Sequence, residues 1–426
     1  MASVLPLSFT PEAADEAAAH KEIYDQLRQV VDTLPTAQSG IGHQYSRHPD
    51  GWYMFTSGVV SAMVIKKHLT ARATDVFIVT FPKSGTTWLK ALLHSAVRRC
   101  VHDIGAYGPH QLIPFLESQV FVKDRIPDLS SLPAPRLLMT HIPSQSLPDS
   151  VADSGCKLVY LCRDPKDCFV SLWHFWNRFM PWDIDEALRQ FCDGVSLFGP
   201  YWEHVLGYWR WHVQRPSQVL FLTYEELAAD TLNQLRRLAG FLGRPFTAAE
   251  QEAGVDKKIV EACAMENLSR LEVNRSGTTD MQVNRAVANN IFFRRGVVGD
   301  WRNHLTPEMA RRIDEMTMSK FEGSGLLLHP QFLQGKRESL GVELGHDGAE
   351  ERAMTTHGTR ARAVRHGEEG QHSDAEGRAM ATRGARARAV RHREEGQHGG
   401  ALSTKPDNDS AEERAMVAHG AKARTA

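Results

Sequence analysis

Apolar residues follow two rhythms along this chain, one nearly unbroken and one helical. Four short stretches, Val76 to Phe81, Arg136 to His141, Cys156 to Cys162 and Gln218 to Tyr224, are apolar at most positions and rich in β-branched or aromatic residues. Runs of that kind read as strands buried on both faces. Between them apolar positions recur at helical spacing, from Trp88 to Val97, from Phe169 to Trp176, and from Asp230 to Leu242 with Gly243 as the stop. Further helical segments span 247–263 and 307–321. Ahead of the first strand come a helix from Glu16 to Thr33, ended by Leu34-Pro35, and an apolar stripe from Gly58 to His68. Asp164 suits the cap of the helix after the third strand, and Pro165 suits its first turn. Strands alternating with helices predict an α/β fold with a mostly parallel central sheet flanked by helices.

Two stretches break these rhythms. Residues 98–135 hold Pro109, Pro114, Pro127, Pro133 and Pro135 and read as mostly loop, either a substrate gate or surface packing. Gly51-Trp52-Tyr53-Met54-Phe55 places three aromatics in four residues, as local core, a lid over the sheet, or one wall of an aromatic pocket. Past about Glu338 the pattern stops. Arg352-Ala353-Met354 recurs at Arg378 and Arg414, and Ala363-Val364-Arg365-His366 recurs at Ala389, in a setting almost without aromatics or large aliphatics. Such a segment cannot bury a core and is expected to be disordered. The organisation expected is therefore an N-terminal arm and helix over 1–49, one domain over 50–335, and a low-complexity tail over 336–426.

Composition narrows the function classes. Of 426 residues 42% are hydrophobic, enough for a sizeable core, and the formal net charge is −1, so no global pull toward nucleic acid or an anionic membrane exists. Six cysteines without a C-x-x-C pair fit a reduced, cytoplasmic protein. No signal-like start and no membrane-length apolar run is present. Any anion site must be a local cluster.

The sharpest local cluster is Pro82-Lys83-Ser84-Gly85-Thr86-Thr87-Trp88, between the first strand and its helix. A strand, a small polar turn and a helix aim backbone N–H groups and the positive helix end at one point, where an anion sits. The lysine precedes the only glycine, unlike the nucleoside-triphosphate loop, whose lysine follows its second glycine. That placement, with no identifiable magnesium carboxylate, argues against an ATP-dependent phosphotransferase. Lys83, His141, Arg163 and Tyr224 all fall just past expected strands, the edge at which such sheets bind ligands. Ser171, two helical turns past Asp164, returns to the face of Arg163.

The string from Pro82 to Leu89 resembles the 5′-phosphosulfate loop of the cytosolic sulfotransferases, which use 3′-phosphoadenosine 5′-phosphosulfate (PAPS) as donor. Arg163-Asp164-Pro165-Lys166-Asp167 with Ser171 is similar to that family's 3′-phosphate motif. Arg294-Arg295-Gly296-Val297-Val298-Gly299-Asp300-Trp301 is similar to its C-terminal signature, with Arg295 where a lysine is usual. Thr140-His141-Ile142-Pro143 looks most like the plant flavonol and hydroxysteroid branch. The resemblance spans about residues 50–335. It implies a P-loop-like phosphosulfate-binding loop, PAPS as co-substrate, no metal, and transfer of a sulfuryl group to the hydroxyl of a small apolar or aromatic acceptor. It implies that Lys83, Ser84, Gly85, Thr86 and Thr87 hold the phosphosulfate. Arg163, Ser171, Arg294, Arg295 and Gly296 would bind the 3′-phosphate, and Trp88, Tyr224 and Met265 the adenine. His141 would be the general base, with Lys83 and Ser171 beside it. Trp52, Phe81, Phe121, Phe175 and Trp176 are the expected acceptor pocket. Met139, where animal members carry lysine, and Met265 leave open a catalytically weakened nucleotide-binding protein. The family's dimer motif is poorly kept at Arg302, Thr306, Pro307 and Arg311, so a monomer is expected.

Overall fold

The structure is a computed structural model that describes residues 13–326 apart from 41, 131 and 282–285. The tail expected over 336–426 lies outside the described residues. Nine strands are described, in three sheets. β1 (Thr36–Gln38), β2 (Gln44–His48) and β3 (Gly51–Tyr53) form a small antiparallel sheet. β4 (Val76–Thr80), β5 (Leu137–Thr140), β6 (Lys157–Cys162) and β7 (Val219–Thr223) make the central sheet in the order β5-β4-β6-β7, parallel throughout. β8 (Thr278–Asp280) and β9 (Ala286–Ala288) pair antiparallel near the C-terminal signature.

Alternation along the central strands divides the interior into two cores. Phe77, Val79, Leu158, Tyr160 and Phe221 face one cluster, while Val76, Ile78, Val159, Leu161 and Leu220 face the other. Every residue of β4 and β7 is buried, which is why these strands carry no polar alternation. The longer helices are α1 (Ala14–Val31), α2 (Thr56–His68), α3 (Thr86–Arg98), α4 (Pro165–Trp176), α5 (Tyr201–Gln214), α6 (Thr231–Phe241) and α7 (Pro307–Phe321). α3 and α6 cover one face with Leu89, Leu92, Leu235 and Leu238. α2, α4 and α5 cover the other with Val64, Phe169 and Val205.

The helices that follow β4 and β6 therefore lie on opposite faces of neighbouring strands. A crevice opens between their C-terminal ends, and ligands of open α/β sheets bind there. Asp164 caps α4 by accepting from the Lys166 amide, as its place before Pro165 predicts.

Two expectations need correction. No break falls at residue 49/50, because β2 pairs with β3 across it and Tyr24, Leu27 and Val31 of α1 enter the main core. The expected loop over 98–135 is partly helical, with turns at His102–Tyr107, Pro109–Leu112 and Leu116–Val120. Pro109 starts one of those turns and Pro114 follows it, while Pro127, Pro133 and Pro135 lie in the coil beyond Val120.

Candidate active site

The crevice begins where β4 stops. Phe81 and Pro82 lead into Lys83, whose φ of 70° is unusual for a residue with a side chain, and then into Gly85 at φ 106°. A Cβ at Gly85 would come within 2.6 Å of the Tyr224 ring, so this position has room only for glycine. α3 starts at Thr86, two residues earlier than the apolar pattern suggests. The amides of Thr86, Thr87 and Trp88 thus belong to the first turn, without intrahelical acceptors and directed at the crevice. The Ser84 hydroxyl turns inward instead, 3.7 Å from Cys168 Sγ, and does not face the crevice.

The other basic segments are tied to this loop. Arg163 donates to the Lys83 carbonyl at 3.3 Å and to the Val297 carbonyl at 3.0 Å. Buried Asp167 accepts from the amides of Gly299, at 2.6 Å, and Trp301, at 2.9 Å, which clamps the C-terminal signature onto α4. Asp300 takes hydrogen bonds from Arg294 and, at 2.6 Å, from Arg295. Burial works to raise the Asp300 pKa, yet bonds from Arg294, Asn303 and Arg295 outweigh it and hold the carboxyl well below its ordinary range. Nε of both Arg163 and Arg294 is buried and finds no acceptor among the described residues. Unsatisfied guanidinium donors in a crevice are suited to phosphate oxygens. Trp88 and Tyr224 meet edge to face at 5.4 Å, and Met265 packs onto Gly296, where a Cβ would lie 2.7 Å from its methyl.

His141 stands just past β5, across from the loop. Its Nδ1 is 2.7 Å from the Thr80 carbonyl, its amide donates to Glu117 Oε1 at 2.7 Å, and its carbonyl accepts from His204 Nε2 at 2.9 Å. The ring lies between Phe115 and Phe198, at 5.1 and 5.6 Å. Burial drives its pKa down to about 3, with Lys90, His204 and Lys83 adding to the effect and the Thr80 bond opposing it. Burial likewise brings Lys83 down to about 7, helped by Arg178, Arg163 and Arg294. Its Nζ sits 4.4 Å from the centre of the Phe175 ring. Glu117 rises to about 7, mainly through burial.

One cleft is lined by Lys83, Gly85, Thr86, Thr87, Trp88, His141, Arg163, Ser171, Tyr224, Met265, Arg294, Arg295 and Gly296. It is open at its mouth and runs continuously from Arg163, Arg294 and Arg295 to the His141 ring. Of the expected acceptor pocket, Phe175 and Trp176 line it, but Trp52, Phe81 and Phe121 do not. Phe81 is fully buried among the edges of Phe191, Tyr201 and His204. Phe121 is core, with its carbonyl accepting from Ser61 at 2.7 Å. Trp52 packs beneath the Arg47 guanidinium on the β2–β3 hairpin. The cleft also takes in Phe115 of the expected gating stretch and His174, together with His110, Glu117, Arg178, Phe198 and Phe292, which the sequence patterns do not single out. Among the described residues no cluster of three or more His, Cys, Asp or Glu could hold a metal. No described helix is long and apolar enough to cross a membrane.

Comparison with known proteins agrees with this geometry. Residues 73–325 match the family model of the Sulfotransferase domain. Cytosolic sulfotransferase 5 of Arabidopsis thaliana is 37% identical over 320 residues, covering 72% of this chain and 97% of that protein. Cytosolic sulfotransferase 16 of the same plant is 43% identical over 275 residues, 62% of this chain and 81% of its own. Among solved structures, an Arabidopsis thaliana protein provisionally named a steroid sulphotransferase aligns with a TM-score of 0.58 at 33% identity, over 76% of this chain and all (100%) of that one. A mouse sulfotransferase in complex with PAP aligns at 0.51 with 27% identity, over 68% and 95%. The chain belongs to the sulfotransferase family and is a PAPS-dependent enzyme that transfers a sulfuryl group to a hydroxyl.

Proposed function

We propose that the enzyme sulfonates a small apolar or aromatic alcohol or phenol in the cytosol, with His141 as general base. One observation carries this reading: His141 Nδ1 lies 2.7 Å from a carbonyl oxygen that can only accept. Nδ1 therefore holds the ring proton, and Nε2 keeps its lone pair for the acceptor hydroxyl. The pKa near 3 keeps the ring neutral through the physiological range, and the negative charge of a bound donor offsets the contribution of Lys83 to that depression. As the acceptor oxygen bonds to sulfur, its proton passes to Nε2. The bond between sulfur and the bridging phosphate oxygen breaks at the same centre. Lys83 and the first-turn amides of α3 take up the charge left on that oxygen. Arg163, Ser171, Arg294, Arg295 and the Gly296 backbone hold the 3′-phosphate, and Trp88, Tyr224 and Met265 hold the adenine.

The acceptor end is a box of rings from Phe55, Phe115, Phe175, Phe198 and Phe292, which favours a flat apolar molecule. We take the protomer to act alone, since the dimer motif of the family is poorly kept. A panel of flavonoids, phenols, sterols and hydroxylated acids with labelled PAPS tests the reading. His141→Ala should lower turnover about 10²–10⁴-fold while PAP binding is retained. Turnover within a few-fold of the parent in that variant would remove His141 from the chemistry.

A further inference from the structure

Beneath the phosphosulfate loop lies a polar line that the mechanism above does not use. Lys90 is on α3, one turn beyond the loop, and is wholly buried. Its Nζ has no carboxylate within ion-pair distance among the described residues. Instead it sits 3.4 Å from the centre of the Phe115 ring and 3.3 Å from His110 Nδ1. His110 Nε2, in turn, is 3.1 Å from the Thr87 hydroxyl, which faces the cleft. The His110 ring is held between Phe115, stacked at 5.5 Å, and Phe292 at 4.2 Å, so it has little freedom to turn. A buried amine is costly to keep where leucine or methionine would pack. Its retention beside a loop that must bind an anion calls for a role.

We propose that Lys90 and His110 are positioning residues that set the direction of the Thr87 hydroxyl, turning its proton into the cleft toward the donor's 5′-phosphate. The logic is one of donors and acceptors. With Lys90 donating to Nδ1, the neutral imidazole carries its proton on Nε2. Nε2–H then donates to Thr87 Oγ1, and a hydroxyl oxygen accepting there has its own proton free for the ligand. Were the line reversed, the Thr87 proton would point at His110 and the cleft would lose a donor. Burial and the neighbouring Lys90 both hold the His110 pKa well below its ordinary value, which keeps the ring neutral as the line requires. Lys90, whose own pKa burial lowers well below the usual lysine value, still has N–H groups to donate in either state. The proposal rests on the donor reading of the site and adds to it.

Calorimetry with PAP on the full chain tests both separately. Lys90→Met should weaken PAP binding about tenfold, the worth of one well-placed hydrogen bond. In a Thr87→Val background the same change should cost less than about twofold, because the group it directs is gone. His110→Leu should match Lys90→Met. His110→Gln, whose carboxamide can accept from Lys90 and donate to Thr87, should recover most of the loss. A merely structural role would show the same penalty with and without the Thr87 hydroxyl, and no recovery by glutamine. Either of those results overturns the inference, as does unchanged PAP binding in Lys90→Met. Should Lys90→Met not fold, the His110 pair carries the same decision. A parent protein that fails to bind PAP overturns the donor reading itself, and this inference with it.

Discussion

The two ends of the cleft are built in different ways. At the donor end Lys83, Arg163 and Tyr224 hang from strand termini and Thr86 to Trp88 from a helix start, Arg294 to Gly296 sit in a loop, and the segments are bonded to one another. Arg163 reaches both the Lys83 and Val297 carbonyls, and Asp167 clamps two amides of the C-terminal signature. At the acceptor end Phe55, Phe115, Phe198 and Phe292 come from four separate stretches and meet mostly through ring contacts. Directional bonds fix atoms to within tenths of an ångström, whereas ring packing tolerates exchange of one apolar shape for another. The donor end should therefore be brittle, and the acceptor end adjustable.

Breaking the clamp is the strongest test of that contrast. Asp167→Ala removes two charge-assisted acceptors from Gly299 and Trp301, a loss of about 3 kcal/mol if half of their combined worth is felt at the ligand. The KM for PAPS should rise roughly 100-fold, with the acceptor KM nearly unchanged. Thermal melting of the variant separates loss of the clamp from loss of the fold. An equal rise in both constants would mean that the clamp serves the whole domain and the two ends are not independent.

The same difference explains what could be read from the chain. Lys83, Gly85 and Arg163 were legible as an anion cradle because they sit where a buried strand turns into a helix, whereas Arg294 was legible only through the resemblance of its string to the family's C-terminal signature. The four central strands were legible because burial on both faces removes polar alternation. Phe81 and Phe121 misled, since an aromatic beside a site and an aromatic in the core have the same local pattern, and only packing separates them. Glu117 and His110 were missed for a related reason. They lie in a proline-marked stretch read as loop, and their partners His141 and Thr87 are 24 and 23 residues away in sequence. No local period records such a contact. A glutamate and a histidine flanking apolar residues inside that stretch were its only signal.

Titration of the loop gives a second, smaller effect. Lys83 has its pKa lowered to about 7, chiefly by burial and then by Arg178, Arg163 and Arg294. Its cationic form, present below that pH, is the one an anionic donor selects, so binding raises the pKa. Between pH 7 and the raised value, each unit of pH should lower donor affinity up to tenfold, with the affinity levelling toward pH 7. No corresponding loss on the acid side should come from His141, which stays neutral down to about 3. Calorimetry with PAPS across pH 7 to 9 measures the slope, and Lys83→Arg should flatten it. A slope that persists in Lys83→Arg would assign the titration to another group.

The mildest change belongs to the acceptor box. Phe292 lies 4.2 Å from the His110 ring and 6.2 Å from that of Phe175, and the Lys83 amine approaches it at 5.8 Å. Phe292→Leu keeps the apolar surface but removes the flat face. Rearranged leucine packing should offset part of the lost area, and the net cost should be about 1 kcal/mol. For a flat aromatic acceptor the KM should rise roughly fivefold. A bulkier, non-planar alcohol should be affected less or gain, because the wall it meets has become thinner. PAPS affinity should move by less than about twofold, since the Lys83 amine keeps its contact with Phe175 at 4.4 Å and the His110 ring keeps its stack on Phe115 at 5.5 Å. If donor and acceptor constants instead shift together, the ring joins the two ends and the acceptor side is as finely set as the phosphate side.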